Sequence, residues 1–383
     1  MKTTSMKSTA KWIAGLAATA MSAWCMIHDR APQPLPDDSN LPRATGWESR
    51  PAEVDRLLEA LPDPRFCNTP AGRAVLGPTT SDIYLWKAAI AVTGKTLPAR
   101  DQGQLGACVA FATASAIEHL ICIQIASKPA NEPPTNEYRD LAPEVIYGGS
   151  RVQVGGGRIV GDGSVGAWAA DFSRRWGVLP RANYDGLDLT SYRESTCRQM
   201  GRTGVPAGLL MLAKNYPVRS VSQIASASEA ILALRQGYPT IVCSNRGFVL
   251  ERDAQGFCRE SGRWNHAMAI LGWRGGARPG FFILNSWGES VYKGPTGPGD
   301  APKCGFWADE AVVDRMFAQG DSWAFSDAVG FPVRRLDSLD WFVQAHPEER
   351  LTKRPTVPAV TLTDPACKID LLTSAGMRYS PRR

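Results

Sequence analysis

A long apolar run extends from Val109 to Ile125. Phe111, Ile117, Leu120, Ile121 and Ile125 fall on more than one face of a helix, and Ser127-Lys128-Pro129 ends it. A helix that is apolar on several faces has to be surrounded, so this segment is predicted to be the central helix of the fold. The pattern divides the rest of the chain in two. Before about residue 209 the signals are helical: Val54 to Leu61, stopped by Pro62 and Pro64, a helix start at Leu141-Ala142-Pro143-Glu144, a helical pattern from Val165 to Trp176, and a stretch around Cys197. From Leu209 onward an amphipathic helix, Ala227 to Gln236, is followed by short apolar runs bounded by Gly and Pro. Thr240 to Cys243, Met268 to Trp273 and Phe281 to Asn285 read as buried strands. This predicts an α+β fold, with a central helix and an antiparallel, barrel-like sheet half.

The ends of the chain have a different texture. Lys2, Lys7 and Lys11 precede the apolar stretch Trp12 to Ile27, with small residues at Ala18, Ala20 and Ala23, so residues 1–23 read as a secretory signal peptide. An uncleaved anchor is the alternative reading. His28 to Pro42 is rich in Pro and Asp, and residues 24–75 are read as a linker or short pro-like leader. Residues 76–330 form the expected main domain, and 331–383 a C-terminal extension. Pro129 to Asp140 is expected to be a polar loop, and the Gly- and Pro-rich stretch Lys293 to Lys303 a lid or a surface insertion.

Composition changes this picture little. A chain of 383 residues with 44% hydrophobic content can bury a full core. A net charge of +6 without a basic block excludes nucleic acid as the expected partner. Of the nine cysteines, setting aside Cys25 and Cys108 leaves an odd number, and no spacing suggests zinc. No metal or cofactor is expected.

The candidate chemistry centres on Cys108. A Gly-rich approach delivers it to the first turn of the central helix, where unpaired N–H groups and the helix dipole favour thiolate. Gln102 lies six residues upstream, where a turn through Gly103 and Gly106 could fold its amide beside the thiol as an oxyanion donor. There are four histidines. His28 is in the linker, His346 in the tail, and helical rise carries His119 about 16 Å from Cys108. His266, in Asn265-His266-Ala267, is the candidate base.

At these residues the chain resembles the papain family of cysteine peptidases. The family pattern Gln-Gly-x-Cys-Gly-Ser-Cys-Trp-Ala-Phe meets Gln102-Gly103-Gln104-Leu105-Gly106-Ala107-Cys108-Val109-Ala110-Phe111. It continues at His266-Ala267-Met268-Ala269 and at Asn285-Ser286-Trp287-Gly288, in the family's order. The resemblance implies a helical half and a sheet half with the active site in the cleft between them. It implies Cys108 as nucleophile, His266 as general acid and base, Asn285 orienting the imidazole, Gln102 and the Cys108 N–H as oxyanion donors, and Trp287 covering the His–Asn hydrogen bond. A thiolate–imidazolium pair is expected. Gly161-Asp162-Gly163-Ser164 partly matches the family's Cys-x-Gly-Gly, whose backbone pairs with extended substrate, so Gly163 and Ser164 are implied to bind substrate. Leu105 and Gly161 replace both halves of a family disulfide, Val109 replaces the usual aromatic, and the family's long helical pro-region has no counterpart. The implied function is an exported cysteine-type endopeptidase, secreted or in the cell envelope, acting on peptides or proteins. It implies no membrane contact beyond an N-terminal anchor. The alternatives are a catalytically silent papain-like peptide-binding protein, or an acyl transferase or amidase using the same Cys–His pair.

Overall fold

The computed structural model describes residues 41, 43–76, 82–128 and 138–336 and the short strand 343–344. The expected signal peptide, nearly all of the Pro-rich linker, most of the 129–140 loop and most of the C-terminal extension lie outside the described residues.

The helices are α1 (Pro51–Ala60), α2 (Trp86–Thr93), α3 (Cys108–Ala126), α4 (Pro143–Gly148), α5 (Gly166–Trp176), α6 (Glu194–Thr203), α7 (Ala207–Ala213), α8 (Ala227–Arg235) and α9 (Glu310–Phe317). A π-helical turn, Gly149–Val154, follows α4. The strands are β1 (Asp82–Tyr84), β2 (Asn183–Tyr184), β3 (Leu187–Asp188), β4 (Ser220–Gln223), β5 (Thr240–Ser244), β6 (Phe248–Arg252), β7 (Cys258–Glu260), β8 (His266–Arg274), β9 (Gly280–Leu284), β10 (Gly305–Asp309), β11 (Trp323–Ser326) and β12 (Val343–Gln344).

Sequence chemistry accounts for several boundaries. Proline opens α1 and α4, where its missing N–H costs nothing. Ser226 caps α8 by accepting from the Glu229 N–H, while the Glu229 carboxylate takes the Ala225 N–H. The central helix α3 is buried on every face from Cys108 to Leu120. It is apolar and long enough to cross a membrane, yet here it is the core helix, packed against β8, α2, α4 and α5. Its one buried carboxylate, Glu118, is held by the Arg100 guanidinium and by the Leu141 N–H at 2.7 Å.

The main sheet is antiparallel in the order β10-β9-β8-β5-β11-β4, with β1 added beside β8 and β12 beside β1. The path is open among the described residues, so the barrel-like half expected from the pattern is a curved sheet that does not close. Strand β5 is buried along its whole length because α3 covers one face and α9 the other. That explains why these strands read as continuous apolar runs rather than as alternation. The pattern did not show α7, α9, β4, the β6–β7 hairpin or β11. The first is an apolar segment too short for helical periodicity, and the strands are of three to five residues.

Candidate active site

The approach to α3 and the Asn285–Gly288 turn are fastened together by backbone. Gln102 donates its N–H to the Ser286 carbonyl at 2.9 Å, Gly288 donates to the Arg100 carbonyl at 2.9 Å, and Asp101 bridges Trp287. Two segments about 185 residues apart in sequence are thus made neighbours. Gln102 is fully buried, and its side chain is fixed at both ends. Its oxygen accepts from Ser286 Oγ at 2.7 Å, leaving its nitrogen to donate.

Cys108 is the first residue of α3 and is fully buried. The backbones of Cys108, Val109, Ala267 and Gly46 lie around its sulfur, the Gly46 N–H itself being given to the Asn265 carbonyl. His266 opens β8, paired with Ser244 of β5. Its Nε2 lies 2.7 Å from Asn285 Oδ1, and the Asn285 amide donates in turn to the Tyr292 hydroxyl at 2.8 Å. Because Asn285 presents oxygen, Nε2 carries the proton and Nδ1 a lone pair. That Nδ1 is buried without a hydrogen-bond partner, on the residue next to Ala267, whose backbone lies at the Cys108 sulfur. Trp287 lies over the imidazole with ring centroids 4.7 Å apart, and Trp264 stacks behind it at 4.7 Å. The structure therefore brings Cys108, Gln102, His266, Asn285 and Trp287 to one place. His119 is elsewhere: its Nδ1 bonds the Ser115 carbonyl at 2.7 Å inside α3.

The protonation state differs from the expected ion pair. Burial pushes the Cys108 thiol up to about 12 against the pull of its four backbone neighbours. Burial lowers His266 to about 4, opposed by its bond to Asn285. Both groups are neutral in this arrangement. The physical reason is a lid of the chain's own making.

Residues 44–48 cross the site in extended form. The Gln102 amide donates to the Ala44 carbonyl at 2.9 Å. Gly46 and Trp47 donate to the Asn265 carbonyl at 3.0 and 2.9 Å, Ser164 donates to the Gly46 carbonyl at 2.8 Å, and Glu48 donates to the Ser164 carbonyl at 2.9 Å. Trp47 and Ser164 thereby pair in parallel. Gly46 passes so near the α3 approach that a Cβ there would sit 2.2 Å from the Gly106 carbonyl oxygen. Beyond it, α1 is clamped to the body by Glu53, which takes Trp168 Nε1 at 3.0 Å and the Arg158 guanidinium at 2.6 Å. Those bonds, with Arg158 foremost, hold Glu53 down at about 2.

Of the two residues implied to bind substrate, only Ser164 pairs with this peptide. Gly163 turns its N–H to the Tyr147 hydroxyl at 3.2 Å and its carbonyl to Arg151. Its contribution is spatial: φ is +111°, and a Cβ would lie 3.0 Å from the Gly46 carbonyl oxygen. Arg151 also donates to the carbonyls of Ile159, Gly161 and Gly201 at 3.2, 2.6 and 2.9 Å. This buried guanidinium holds the loop where Gly161 stands in place of a disulfide cysteine. Sequence reasoning missed Arg151, Asn265, Tyr292, Asp321 and the crossing peptide, none of which has a local motif. Among the described residues no three His, Cys, Asp or Glu side chains gather as a metal would need.

No family model matches the chain, and no curated protein matches it. Among solved structures it is similar to xylellain, a cysteine protease from Xylella fastidiosa, at 17% identity and a TM-score of 0.46, covering 77% of this chain and 95% of that one. It is also similar to procathepsin B S9 from Trypanosoma congolense, at 13% identity and a TM-score of 0.44 over 74% and 86% of the two chains. Digestive procathepsin L 3 from the larval midgut of Tenebrio molitor gives 13% identity and a TM-score of 0.41 over 71% and 79%.

Proposed function

We propose that this chain is a cysteine endopeptidase held silent by residues 24–75, with the peptidase domain beginning near residue 76. The observation that carries the reading is the peptide in the cleft: a backbone carbonyl rests on the Gln102 amide beside a buried Cys108 and a His266 oriented by Asn285. The leader escapes cleavage because of its direction. Its parallel pairing with Ser164 leaves the Gly46 N–H on the Asn265 carbonyl and the Gly46 carbonyl on the Ser164 N–H, and the carbonyl on Gln102 is that of Ala44, two places away. The carbonyl of Gly46 is therefore turned to Ser164 and not to the Gln102 amide, so it is not presented for attack.

When the leader withdraws, water returns and the desolvation that keeps the pair neutral falls. The Cys108 proton then passes to His266 Nδ1, and the thiolate attacks the scissile carbonyl carbon, its C=O electron pair moving to oxygen. Gln102 Nε2 and the Cys108 N–H stabilise that oxyanion. His266 returns the proton to the departing amine, leaving a thioester on Cys108. Water, deprotonated by His266, hydrolyses the thioester and restores the thiol.

The test is labelling of the Gly46→Ala chain, in which residues 44–48 can no longer lie in the cleft, by an epoxysuccinyl peptide, followed by peptide mapping, beside a peptide digest. Alkylation of Cys108 alone with cleavage of peptides is the expected result. Alkylation without cleavage would identify a silent peptide-binding protein, and equal labelling of Cys243 or Cys304 would remove Cys108 from its role.

A further inference from the structure

The leader's Trp47 is 5% exposed, and what it is buried against is specific. Its indole Nε1 donates to Asp321 Oδ2 at 2.8 Å. Asp321 is buried two residues before β11, and its remaining acceptor sites are occupied by the protein: the Gly166 and Ala167 N–H groups that open α5, each at 2.7 Å, and Trp323 Nε1 at 2.8 Å. The site adjoins the candidate nucleophile. A Cβ on Gly166 would lie 2.7 Å from Asp321 Oδ1 and 2.8 Å from Cys243 Sγ, and Cys243 is close enough to feel both Asp321 and Cys108. Trp47 thus fills a recess between α5, β5 and β11, one strand away from the thiol. Trp47 is also the residue that pairs with Ser164. A peptide that takes the leader's place and pairs with Ser164 as Trp47 does presents its side chain to the same recess. Which side chain is favoured follows from the floor. The two backbone N–H groups and the Trp323 indole already offset most of the carboxylate charge. What remains is one lone pair on Oδ2 in a buried recess that accommodates a flat ring.

We propose that Asp321 is the specificity-determining residue of this cleft and that the recess above it selects substrates with a hydrogen-bond-donating aromatic side chain, tryptophan first, opposite Ser164. This rests on the peptidase reading for turnover but not for binding. The same contact makes the leader a competitive occupant of its own specificity pocket, with Trp47 standing where the substrate's ring goes. Phenylalanine fills the recess but leaves Oδ2 without its donor, and a lysine or arginine brings a charge for which little uncompensated negative charge remains.

Binding and turnover are measured separately. For binding, the full chain carrying Trp47→Ala and Cys108→Ala is titrated with fluorescein-labelled Arg-Ala-Thr-Gly-Trp-Glu, the sequence of residues 43–48, and with versions carrying phenylalanine, 1-methyltryptophan or arginine in place of the tryptophan. Tryptophan is expected to bind at least about tenfold tighter than phenylalanine or the methylated indole, which differs only in lacking the N–H. Asp321→Asn is expected to shrink that ratio to about threefold or less; the methylated probe makes the same comparison if this variant does not fold. Equal binding of tryptophan and 1-methyltryptophan, tightest binding of the arginine peptide, or binding of none would overturn the proposal. For turnover, the chain with Trp47→Ala alone is given a peptide library. Cleavage with no preference for tryptophan at any one position also overturns the pocket. Discrimination in binding without any cleavage keeps the pocket and removes the peptidase reading.

Discussion

His266 and Asn285 act through one imidazole but contribute unequally. On the proposed peptidase reading His266 holds the proton that the chemistry moves, so His266→Ala should lower turnover by several orders of magnitude. Asn285 fixes the tautomer through one buried hydrogen bond of 2.7 Å, and Asn285→Ala should cost about 10- to 100-fold. Steady-state kinetics of both single variants and the double variant provide the check. The double variant should be little worse than His266→Ala, whereas losses that multiply would mean Asn285 acts elsewhere. Gln102→Ala should lower kcat about 100-fold or more with little change in KM, since on the same reading its amide serves charge that develops only during reaction. His119 has a separate signature. Burial lowers it to about 4, so its contribution to stability is complete above its unfolded value of about 6.5 and is lost as pH falls from there towards 4. His119→Gln should flatten the stability-versus-pH curve in that window by up to about 1.4 kcal/mol per pH unit, measured by denaturant melts. The residues legible in the sequence were those whose chemistry fixes both type and order: Cys108, His266, Asn285 and Gln102. Asp321 and Arg151 were not, because a lone carboxylate or guanidinium on a polar stretch looks the same whether it is solvated or buried among donors and carbonyls.

The leader and α1 show what an element-level reading of the pattern could reach. Val54 to Leu61 was legible as a helix, and Pro51–Ala60 is one. The segment before it was legible only as linker, because its hold on the cleft is made chiefly by main-chain groups, which leave no side-chain pattern. The strands of the sheet half were legible where α3 and α9 bury both faces, as in β5, and illegible where they are short and mixed, as in β6 and β7. The leader's weak point is Gly46, whose α-carbon lies against the Gly106 carbonyl. Gly46→Ala in the full chain should force residues 44–48 out of the cleft and raise the initial rate on a fluorogenic peptide by about tenfold or more. An unchanged rate would show that these residues are not what silences the site. Glu53→Gln, which weakens the clamp of α1 on Arg158, should act in the same direction and more weakly. Since Glu53 is held near 2, acid down to about pH 3 should not release that clamp by itself.

Over the whole molecule, single guanidinium side chains hold together segments that are distant in sequence. Arg100 binds Glu118 of the central helix while its own carbonyl holds Gly288 of the other half. Arg151 does the work of a missing crosslink by gathering four carbonyls around the loop that carries Ser164. Arg151→Met leaves those carbonyls buried without a donor, at a cost of about 2–4 kcal/mol in stability. KM for peptides should rise severalfold with kcat nearly kept, as the loop positions substrate and takes no part in bond making. A matched loss of kcat would point instead to a collapsed site. The backward course of the leader has a consequence for the time course of activation. A molecule whose leader turns its Gly46 carbonyl to Ser164 and away from the Gln102 amide is not placed to sever that leader itself, so on the proposed reading a first freed molecule must cut its neighbours. Progress curves from purified full-length protein should begin with a lag that shortens as protein concentration rises and disappears when a trace of processed material is added. A lag unchanged over a tenfold dilution would mean that each molecule opens by itself.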